Sequence, residues 1–406
     1  MRLPRTNNRG MGSPRASRRV LTLNVGSSSL KAALYDIHSS ESLLMSAVAD
    51  GIGTAAAALR ITNAAAGAAF ETQESLATQR DALAALFSYL EQHRWDQGLD
   101  IVGHRIVHGG PLYSEPALIT EKMVHELTQL LPLDPEHLPN ALNAIAFVAA
   151  RYPTLQQAAC FDTAFHRHLP QAARTFALPE SFYQEGIRRY GFHGLSYEYA
   201  LQALRELDAS RAAGRVIVAH LGSGASMAAI DAGHCIDTSM GFTPTSGLMM
   251  GTRAGDIDPD VILHLIGNKG MSVAQVSTLL HEHSGLLGVS GISSDMRLLL
   301  DRQASDPQAA AAVELFCYRA KKYLGAYAAA LGGLDALVFT GGIGEHAASV
   351  RERICAGLGN LGIQVDSPRN QANAAVISSD ASPVTVRVIK TDEGLVIARH
   401  AARLCG

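Results

Sequence analysis

Short apolar runs separated by glycine and serine recur in this chain and predict β-hairpins. Residues 216–219 (VIVA) form one apolar run, the turn HLGSG follows, and a second apolar run ends at Asp231. Residues 20–36 (VLTLNVGSSSLKAALYD) repeat this order of apolar strand, polar residue, Gly/Ser tip and second strand. Glycine-rich tips leave backbone N–H groups open to phosphate. Two such hairpins far apart therefore predict a duplicated domain with a nucleotide between its halves.

The glycine-rich segment after the second hairpin predicts an anion site. It carries little charge until Arg253, which lies among Gly251, Thr252 and Gly255. A planar guanidinium on a backbone that permits close approach suits a phosphate or a carboxylate. A surface arginine on a glycine-rich connection is the alternative. Lys31, just past the first tip, either reaches a phosphate or lies on a solvated strand edge.

Helices and strands alternate through the rest of the chain. Residues 75–93 repeat apolar side chains at helical spacing and predict a core-facing helix. Ser196 is expected to cap the helix that follows it. Residues 334–346 predict a strand, a Gly-Gly turn and a helix, an order that brings backbone N–H groups close to a ligand. A strand at 384–389 and a helix at 395–404 end the chain.

Arg105 lies inside the apolar run of residues 101–111. A buried guanidinium is costly unless an anion pairs with it. Arg105 is therefore expected either to face a ligand or to bond a buried acid. His104 and His108 flank it, and the absence of a nearby carboxylate cluster in the sequence favours packing and hydrogen bonding over metal binding.

Composition places the chain among globular, two-domain proteins. It has 406 residues, of which 47% are hydrophobic and 17% charged. The net charge is −3, and the first nineteen residues hold six arginines and no acid, so the remainder carries −9. An acidic body argues against nucleic acid as a partner, and no uncharged apolar run reaches the roughly 18 residues of a membrane span. Five scattered cysteines without a CxxC pair indicate reduced thiols in the cytoplasm.

Longer motifs identify a family resemblance. The run DTSMGFTPTSGLMMGTRAGDIDP resembles the signature of the acetate kinase family. The motifs NVGSSSLK, GHRIVHGG, FDTAFH, RYGFHG, HLGSGAS, SSDMR, TGGIGEH and TDEGLVIAR resemble that family's pattern in the same order, from about Val20 onward. The resemblance implies an α/β fold of the actin/hexokinase/Hsp70 (ASKHA) type, with two duplicated ribonuclease H-like domains, a nucleotide in the cleft and a homodimer.

The resemblance also implies domain boundaries. Residues 1–19 are expected to be a disordered basic tail. Residues 20–161 together with 394–406 would form the N-terminal ribonuclease H-like domain. Residues 162–393 would form the C-terminal domain, which binds the nucleotide and holds the dimer contact. The alanine-rich helix at 309–331 lies either at that contact or buried inside the domain.

Roles for individual residues follow from the same resemblance. The implied catalytic residues are Asp162, His193, Arg253 and Arg105, with both arginines contacting the substrate and the transition state. The implied substrate pocket consists of Arg105, Val107, Leu133, Phe192 and Pro244. The implied nucleotide contacts are Lys31, His220, Leu221, Gly222, Ser223, Gly224, Asp295, Met296, Arg297, Gly342, Ile343, Gly344, Glu345 and His346. The implied metal positions are Asn24 and Glu393.

The implied reaction is the reversible, in-line phosphorylation of acetate to acetyl phosphate, with ATP/ADP and Mg²⁺ or Mn²⁺ as cofactors. A carboxylate is already ionised at neutral pH and needs no general base. It needs cations that hold two anions together. We therefore expect Asp162 to orient an arginine or a metal-bound water, although the family usually labels it a proton donor or acceptor.

Several positions depart from the family pattern. The family usually has histidine directly after Leu133, whereas this chain has Asp134, with His137 three residues later. An anion beside the acyl pocket would change the preferred acid, or His137 would take over. His346 and Ser223 replace the usual asparagines, and Gly394 replaces a second glutamate.

Three alternative functions remain open at this point. A propionate or butyrate kinase differs only in pocket size, and one methylene is worth roughly 1–3 kcal/mol. A non-catalytic, ATP-gated binding module, like an Hsp70 ATPase domain, would not need Arg105 and Arg253 for a second anion. A sugar or polyol kinase would need a base for a hydroxyl group, which Asp162 could supply.

Overall fold

The computed structural model describes residues 17–38, 40–67, 69–72 and 76–405. The basic tail predicted for residues 1–19 falls mostly on residues 1–16, which lie outside the described ranges, while Arg18 and Arg19 begin the first strand. Within the described part of the chain, no helix has the length and apolar character needed to cross a membrane.

The strands and helices alternate along the chain. The strands are β1 Arg18–Val25, β2 Ser29–Ile37, β3 Glu41–Asp50, β4 Ala58–Asn63, β5 Ala69–Glu71, β6 Leu99–Ile106, β7 Ala117–Leu118, β8 Gln156–Phe161, β9 Arg215–Leu221, β10 Ala225–Asp231, β11 His234–Thr238, β12 Ala336–Thr340 and β13 Thr385–Val388. The helices are α1 Gln79–Gln92, α2 Glu121–Thr128, α3 Leu138–Arg151, α4 Gln171–Arg174, α5 Glu180–Gln184, α6 Gly194–Leu207, α7 Ala209–Ala212, α8 Pro259–Gly267, α9 Val273–Glu282, α10 Gly285–Ser290, α11 Met296–Arg302, α12 Pro307–Ala330, α13 Gly341–His346, α14 Ala348–Cys355, α15 Ser367–Gln371 and α16 Glu393–Leu404. Two 3₁₀ turns cover Asp162–His166 and Gly359–Leu361.

Two sheets share one core topology. The first sheet has the order β5-β4-β3-β2-β1-β6-β8-β7, and the second has the order β11-β10-β9-β12-β13. In each sheet a central strand, β1 or β9, pairs antiparallel with the next strand, which pairs antiparallel with a third. On its other side the central strand begins a run of parallel pairs, β1-β6-β8 or β9-β12-β13. This repetition confirms the predicted class of two duplicated ribonuclease H-like domains.

Both predicted hairpins are present, and local chemistry explains most of the boundaries. Strand β12 is buried along its whole length, as expected for a strand with parallel neighbours on both sides. Helix α1 begins at Gln79 rather than at residue 75, because Thr78 and Asp81 form a reciprocal capping box. The alanine-rich stretch at residues 52–70 contributes β4 and the start of β5.

Helix α16 returns the chain to the first sheet. Ala398 and Ala401 pack in one apolar cluster with Val20 and Ile101. The approach is so close that a methyl group built on Gly103 of β6 would lie 2.5 Å from Ile397 Cγ2. This packing agrees with the assignment of residues 394–406 to the N-terminal domain, although the boundaries themselves stay a prediction. It also brings the N-terminus of α16, with Glu393, to the cleft between the sheets.

Candidate active site

A cavity of about 1270 Å³ lies between the two sheets, and both hairpins contribute to its wall. Arg105 and His193 line it. It is also lined by these residues predicted to hold nucleotide or metal: Asn24, Lys31, His220, Gly222, Ser223, Gly224, Asp295, Met296, Arg297, Gly342, Ile343, Glu345, His346 and Glu393. Leu221 and Gly344 are buried and are not among the lining residues. The structure thus brings most of the predicted nucleotide loops to one cleft.

Arg105 is held by a buried carboxylate at the base of this cleft. Its Nε donates to Asp162 Oδ1 at 2.9 Å and its Nη2 to Asp162 Oδ2 at 2.6 Å. Its Nη1 lies 3.4 Å from Asn24 Oδ1 and 3.5 Å from Glu393 Oε2. The pairing of Arg105 with a buried acid is therefore present, and Arg105 also lines the cavity, while its contact with a ligand stays a prediction.

Asp162 is 1% exposed and does not reach the cavity wall. Burial raises the pKa of its carboxyl group more than the charge and hydrogen bonds of Arg105 lower it, so the net direction is upward. We nevertheless assign the ionised form, because the carboxyl group accepts two N–H bonds from a permanent cation and those bonds favour the charged state. Burial lowers the pKa of Arg105, but Asp162 and Glu393 outweigh that effect, and the net direction is upward.

Glu393 is fixed from three sides. Its Oε2 accepts from Asn24 Nδ2 at 3.3 Å and lies near Arg105, and its Oε1 accepts a short hydrogen bond from the Ser196 hydroxyl. Burial raises the pKa of Glu393, but Arg105 and His220 outweigh it, so the pKa is lowered overall. Asp392, the N-cap of α16, accepts from Leu395 N and from the Tyr35 hydroxyl, both of which hold the helix start in place.

The expected capping role of Ser196 is wrong. Helix α6 begins at Gly194, and His193 occupies the cap position with a left-handed φ of 57°. Ser196 lies inside the first turn, and its hydroxyl donates to Glu393 instead of accepting from a backbone N–H. The sequence offered no local signal for this contact, because the two residues lie 197 positions apart.

His193 presents one ring nitrogen to the cleft. Its Nδ1 lies 2.8 Å from Ser226 Oγ, which also shares a short hydrogen bond with the Tyr197 hydroxyl. Its Nε2 lies against the second hairpin tip, 3.2 Å from where a Cβ on Gly224 would be. Burial, followed by His220 and the two arginines, lowers the pKa of His193 well below its ordinary value. His193 is therefore a neutral ring at neutral pH.

Arg253 approaches the same tip from the second half of the molecule. Its Nη1 lies 3.9 Å from the position of a Cβ on Gly224 and donates to Pro244 O at 3.3 Å. Burial lowers the pKa of Arg253, and the charges of Glu136 and Asp134 oppose that shift. Arg253 and His193 thus meet at the Gly224 tip, and Arg105 lines the same cavity as His193.

The four predicted acyl-pocket residues lie outside the lining of the large cavity. Phe192 is buried in the core of the second half, and Val107 packs against the same core from the first half. Pro244 touches Arg253 through its carbonyl oxygen. Leu133 is half-buried on the loop before α3. Of the four, Pro244 therefore contacts Arg253 directly, and Leu133 lies on a loop that also reaches Arg253 through His137.

The nucleotide loops depend on close backbone packing. Gly341 has a φ of 78°, and a Cβ there would lie 2.7 Å from Leu221 O, so only glycine fits between β12 and α13. The buried Arg351 donates to Gly344 O at 2.9 Å and to Glu345 O at 3.0 Å, which satisfies carbonyl groups at the end of α13. These contacts explain why Leu221 and Gly344 determine the shape of the loops and do not line the cavity.

Residues that sequence reasoning did not assign also line the cavity. The additional lining residues next to predicted motifs are Ser294, Gly341, Lys390, Thr391, Asp392 and Gly394. Their adjacency to the motifs SSDMR, TGGIGEH and TDEGLVIAR was the available signal.

The residues present fit a magnesium ion that arrives with a nucleotide. Among the described residues, no group of three or more histidine, cysteine, aspartate or glutamate side chains forms a metal cluster. Mg²⁺ commonly keeps several waters and binds through one or two carboxylates plus substrate phosphates. The ionised Glu393 and the Asn24 amide supply such a sparse oxygen set on the cavity wall.

Comparison with known proteins agrees with this geometry. The model of the acetokinase family matches residues 19–399. An acetate kinase of Rhodopseudomonas palustris (strain TIE-1) is 46% identical over 391 residues, covering 95% of this chain and 98% of the relative. An acetate kinase of Methylocella silvestris is 44% identical over 399 residues, covering 96% and 98%. The crystal structure of Porphyromonas gingivalis acetate kinase has a TM-score of 0.86 at 37% identity, with 96% of this chain and 100% of that chain covered. A propionate kinase from Francisella tularensis has a TM-score of 0.90 at 36% identity, covering 95% and 100%.

The buried histidines predict a loss of stability in mild acid. Burial lowers the pKa of His104, His108, His166 and His220 to about 4, below the unfolded value near 6.5. The unfolded chain therefore binds more protons as the pH falls from about 6.5 towards 4. The free energy of unfolding should fall by up to about 1.4 kcal/mol per pH unit for each such histidine. Urea unfolding between pH 7 and 5 measures this slope.

The controls for this prediction are single variants. His104→Gln removes one buried titrating ring and should flatten the slope by about one proton. His125→Gln, at an exposed position on α2, should leave the slope unchanged. A free energy of unfolding that is constant between pH 6.5 and 5 would contradict the prediction.

Proposed function

The chain belongs to the acetokinase family, and from this premise we propose that it transfers the terminal phosphoryl group of ATP to acetate, reversibly forming acetyl phosphate. The observation that carries the proposal is that Arg253 and the neutral His193 meet at the Gly224 tip, while Arg105 lines the same cavity as His193. An ATP-gated module has no need for two guanidinium groups at one phosphate position. A kinase that joins two anions does.

The residues suit an in-line transfer that moves no proton. A carboxylate oxygen of acetate forms a bond to the γ-phosphorus, the bond from that phosphorus to the β,γ-bridging oxygen breaks, and ADP leaves with the electron pair. Arg105 and Arg253 offset the charge that develops on the transferring group, and His193 faces it with Nε2. Bound Mg²⁺ would supply further positive charge, with Glu393 and Asn24 as its protein contacts.

The cleft loops would position the nucleotide. We assign phosphate contacts to Lys31 and to the tip at residues 220–224, because both line the cavity on the hairpin side. We assign contacts to the remainder of ATP to the loops at residues 295–297 and 342–346, which also line the cavity. Leu221 and Gly344 would act only through the shape of the backbone, since neither residue lines the cavity.

Asp162 would position Arg105 instead of transferring a proton. Both of its oxygens are engaged by the Arg105 guanidinium, and the carboxylate is screened from the cavity. A general base must reach the proton that it removes. The same geometry disfavours a sugar or polyol kinase that uses Asp162 as its base.

The first test follows acyl phosphate directly. With ATP, Mg²⁺ and hydroxylamine, the protein should form acetyl hydroxamate, and kcat/KM for propionate and butyrate should be lower by about 10-fold or more per methylene. Arg253→Ala should reduce kcat/KM for acetate by about 10²- to 10³-fold, as expected for a buried charge contact worth about 3–5 kcal/mol. Arg302→Ala, an exposed arginine at the end of α11, is the matched control.

Two results would decide against acetate. A higher kcat/KM for propionate would assign the chain to propionate phosphorylation within the same family. The absence of any acyl hydroxamate from two- to four-carbon acids, with intact ATP binding, would favour a binding module.

The second test separates the two roles of Asp162. Asp162→Asn should loosen Arg105, raise KM for acetate and lower kcat/KM by about 10²-fold, the scale of a 1 Å misplacement. The pH dependence of kcat should stay unchanged, because no proton is transferred. Arg105→Lys breaks the same bidentate pair and should give a similar loss. An Asp162→Asn enzyme with normal Arg105 geometry and normal KM but a shifted pH profile would show that the orienting role is wrong.

We also propose that two copies of the chain pair through α8 and α9. Helix α8 buries none of its residues in the single chain, although its sequence is largely apolar. Leu263 on α8 is 64% exposed and Val273 on α9 is 73% exposed. An exposed apolar face of this kind suits a self-complementary contact. Helix α12, by contrast, buries one face inside its own domain.

The five free cysteines support a reducing, cytoplasmic setting.

Sedimentation analysis tests the pairing. The wild-type protein should sediment as a dimer at micromolar concentration, and Leu263→Asp combined with Val273→Asp should yield monomers, because buried carboxylates are costly. Leu207→Asp replaces an equally exposed leucine at the end of α6 and should leave the dimer intact. A wild-type monomer at all concentrations would contradict the proposal.

A further inference from the structure

A chain of polar contacts crosses the cleft on the side away from the nucleotide loops. Asp134 Oδ1 lies 2.8 Å from His137 Nδ1. His137 Nε2 in turn lies 3.3 Å from Arg253 Nη2. Asp134 and His137 belong to the loop before α3 in the first half, whereas Arg253 belongs to the second half. The roles assigned above use neither Asp134 nor His137.

Hydrogen-bond chemistry fixes the direction of this chain. An ionised carboxylate only accepts hydrogen bonds, so His137 donates from Nδ1 to Asp134. A neutral ring that donates from Nδ1 has its lone pair on Nε2. Arg253 can only donate, and Nε2 is the acceptor that its Nη2 requires. The imidazole therefore links a fixed carboxylate to a guanidinium of the active site.

The carboxylate of Asp134 is buried at a cost. Its side chain is 2% exposed, and its Oδ2 has no hydrogen-bond partner among the described residues. A buried polar atom that lacks a partner costs on the order of 1–3 kcal/mol, and more when it is charged. The stability of the loop does not explain why a carboxylate is buried at this position. Its hydrogen bond to the His137 ring, which fixes the orientation of that ring, does explain it.

The remaining contacts of Arg253 show what this link achieves. Pro244 O accepts from Nη1 at 3.3 Å, and Glu136 Oε2 lies 3.7 Å from Nη2. Nη1 also lies 4.0 Å from Met250 Sδ and stays near the Gly224 tip, whereas His137 Nε2 and Glu136 Oε2 are the contacts that Nη2 makes within the described part of the chain. Without His137, the weak 3.7 Å contact would be the main restraint on Nη2.

We propose that His137, held by Asp134, is a positioning residue for Arg253, and this inference rests on the proposed function of Arg253 in phosphoryl transfer. It touches neither substrate and acts only through the guanidinium. The link crosses from the first half to the second, so it is complete only when the cleft holds the two halves at this separation. Loss of His137 should therefore change the kinetic constants for the carboxylate substrate and the turnover rate, and it should leave ATP binding unchanged.

Side-chain variants test this role. His137→Leu should lower kcat/KM for acetate by about ten- to a hundredfold and leave KM for ATP unchanged, since a misplacement of about 1 Å has effects of this size. His137→Gln should restore most of the activity, because its amide donates to Asp134 and its carbonyl oxygen accepts from Arg253. His125→Leu, at an exposed position on α2, is the control and should be fully active.

A double-mutant cycle shows whether His137 acts through Arg253. In the Arg253→Ala background, His137→Leu should change kcat/KM by less than about twofold. A further loss as large as in the wild-type background would mean that His137 contacts the substrate by itself, and would overturn the proposal. Full activity of His137→Leu in the wild-type background would overturn it as well.

Crystal structures provide a readout that does not require activity. In wild type and His137→Gln the Arg253 guanidinium should occupy the position described here, and in His137→Leu it should be displaced or disordered. An unmoved Arg253 in well-folded His137→Leu crystals would overturn the inference. An inactive wild-type enzyme would instead count against the proposed function, while the crystal comparison would still decide the role of His137.

Discussion

The bidentate pairing of Arg105 with Asp162 is the interaction on which the site depends. A guanidinium buried alone between two domains would cost several kcal/mol. Two N–H bonds to one buried carboxylate offset that cost and fix the plane of the side chain. The third nitrogen is then directed towards Asn24 and Glu393. Because Asp162 begins the 3₁₀ turn that follows β8, and Glu393 begins α16, the geometry of one arginine depends on several separate elements.

Charge balance supports the proposal that the nucleotide arrives with a metal ion. The cations in and beside the cleft are Lys31, Arg105, Arg253, Arg297 and Lys390. The acids there supply at least as much negative charge, and they include Asp134, Glu136, Asp162, Asp295, Glu345, Asp392 and Glu393. Burial holds His193 and His220 neutral. An anionic nucleotide and an anionic acid would together meet a site without excess positive charge. A metal ion bound at Glu393 and Asn24 would supply the missing positive charge. The small number of oxygen ligands on that side of the cavity is consistent with this role.

The parts of this structure that sequence could predict are those with a local cause. Alternating or continuous apolar runs ended by Gly/Ser tips predicted both hairpins, because strand burial and tight turns are encoded within a few residues. Ser196 was misassigned because the left-handed φ of His193, which sets the start of α6, has no local signature. The contact of His137 with Arg253 joins residues 116 positions apart and depends on how the two halves meet. Motif matching also could not show that Leu221 and Gly344 are buried.

The duplicated hairpins show how one framework supports two different tasks. In β1–β2, Asn24 pairs across the hairpin with Lys31, and both side chains line the cleft. In β9–β10, the corresponding pair is His220 and Ser226. His220 lines the cleft, but Ser226 is fully buried and bonds His193. The same position beside the tip thus carries a cation in one half and a support for a neutral ring in the other. Since the strand pairing is shared, the difference between the proposed phosphate contact of Lys31 and the hydrogen bond of Ser226 to His193 arises from single side chains.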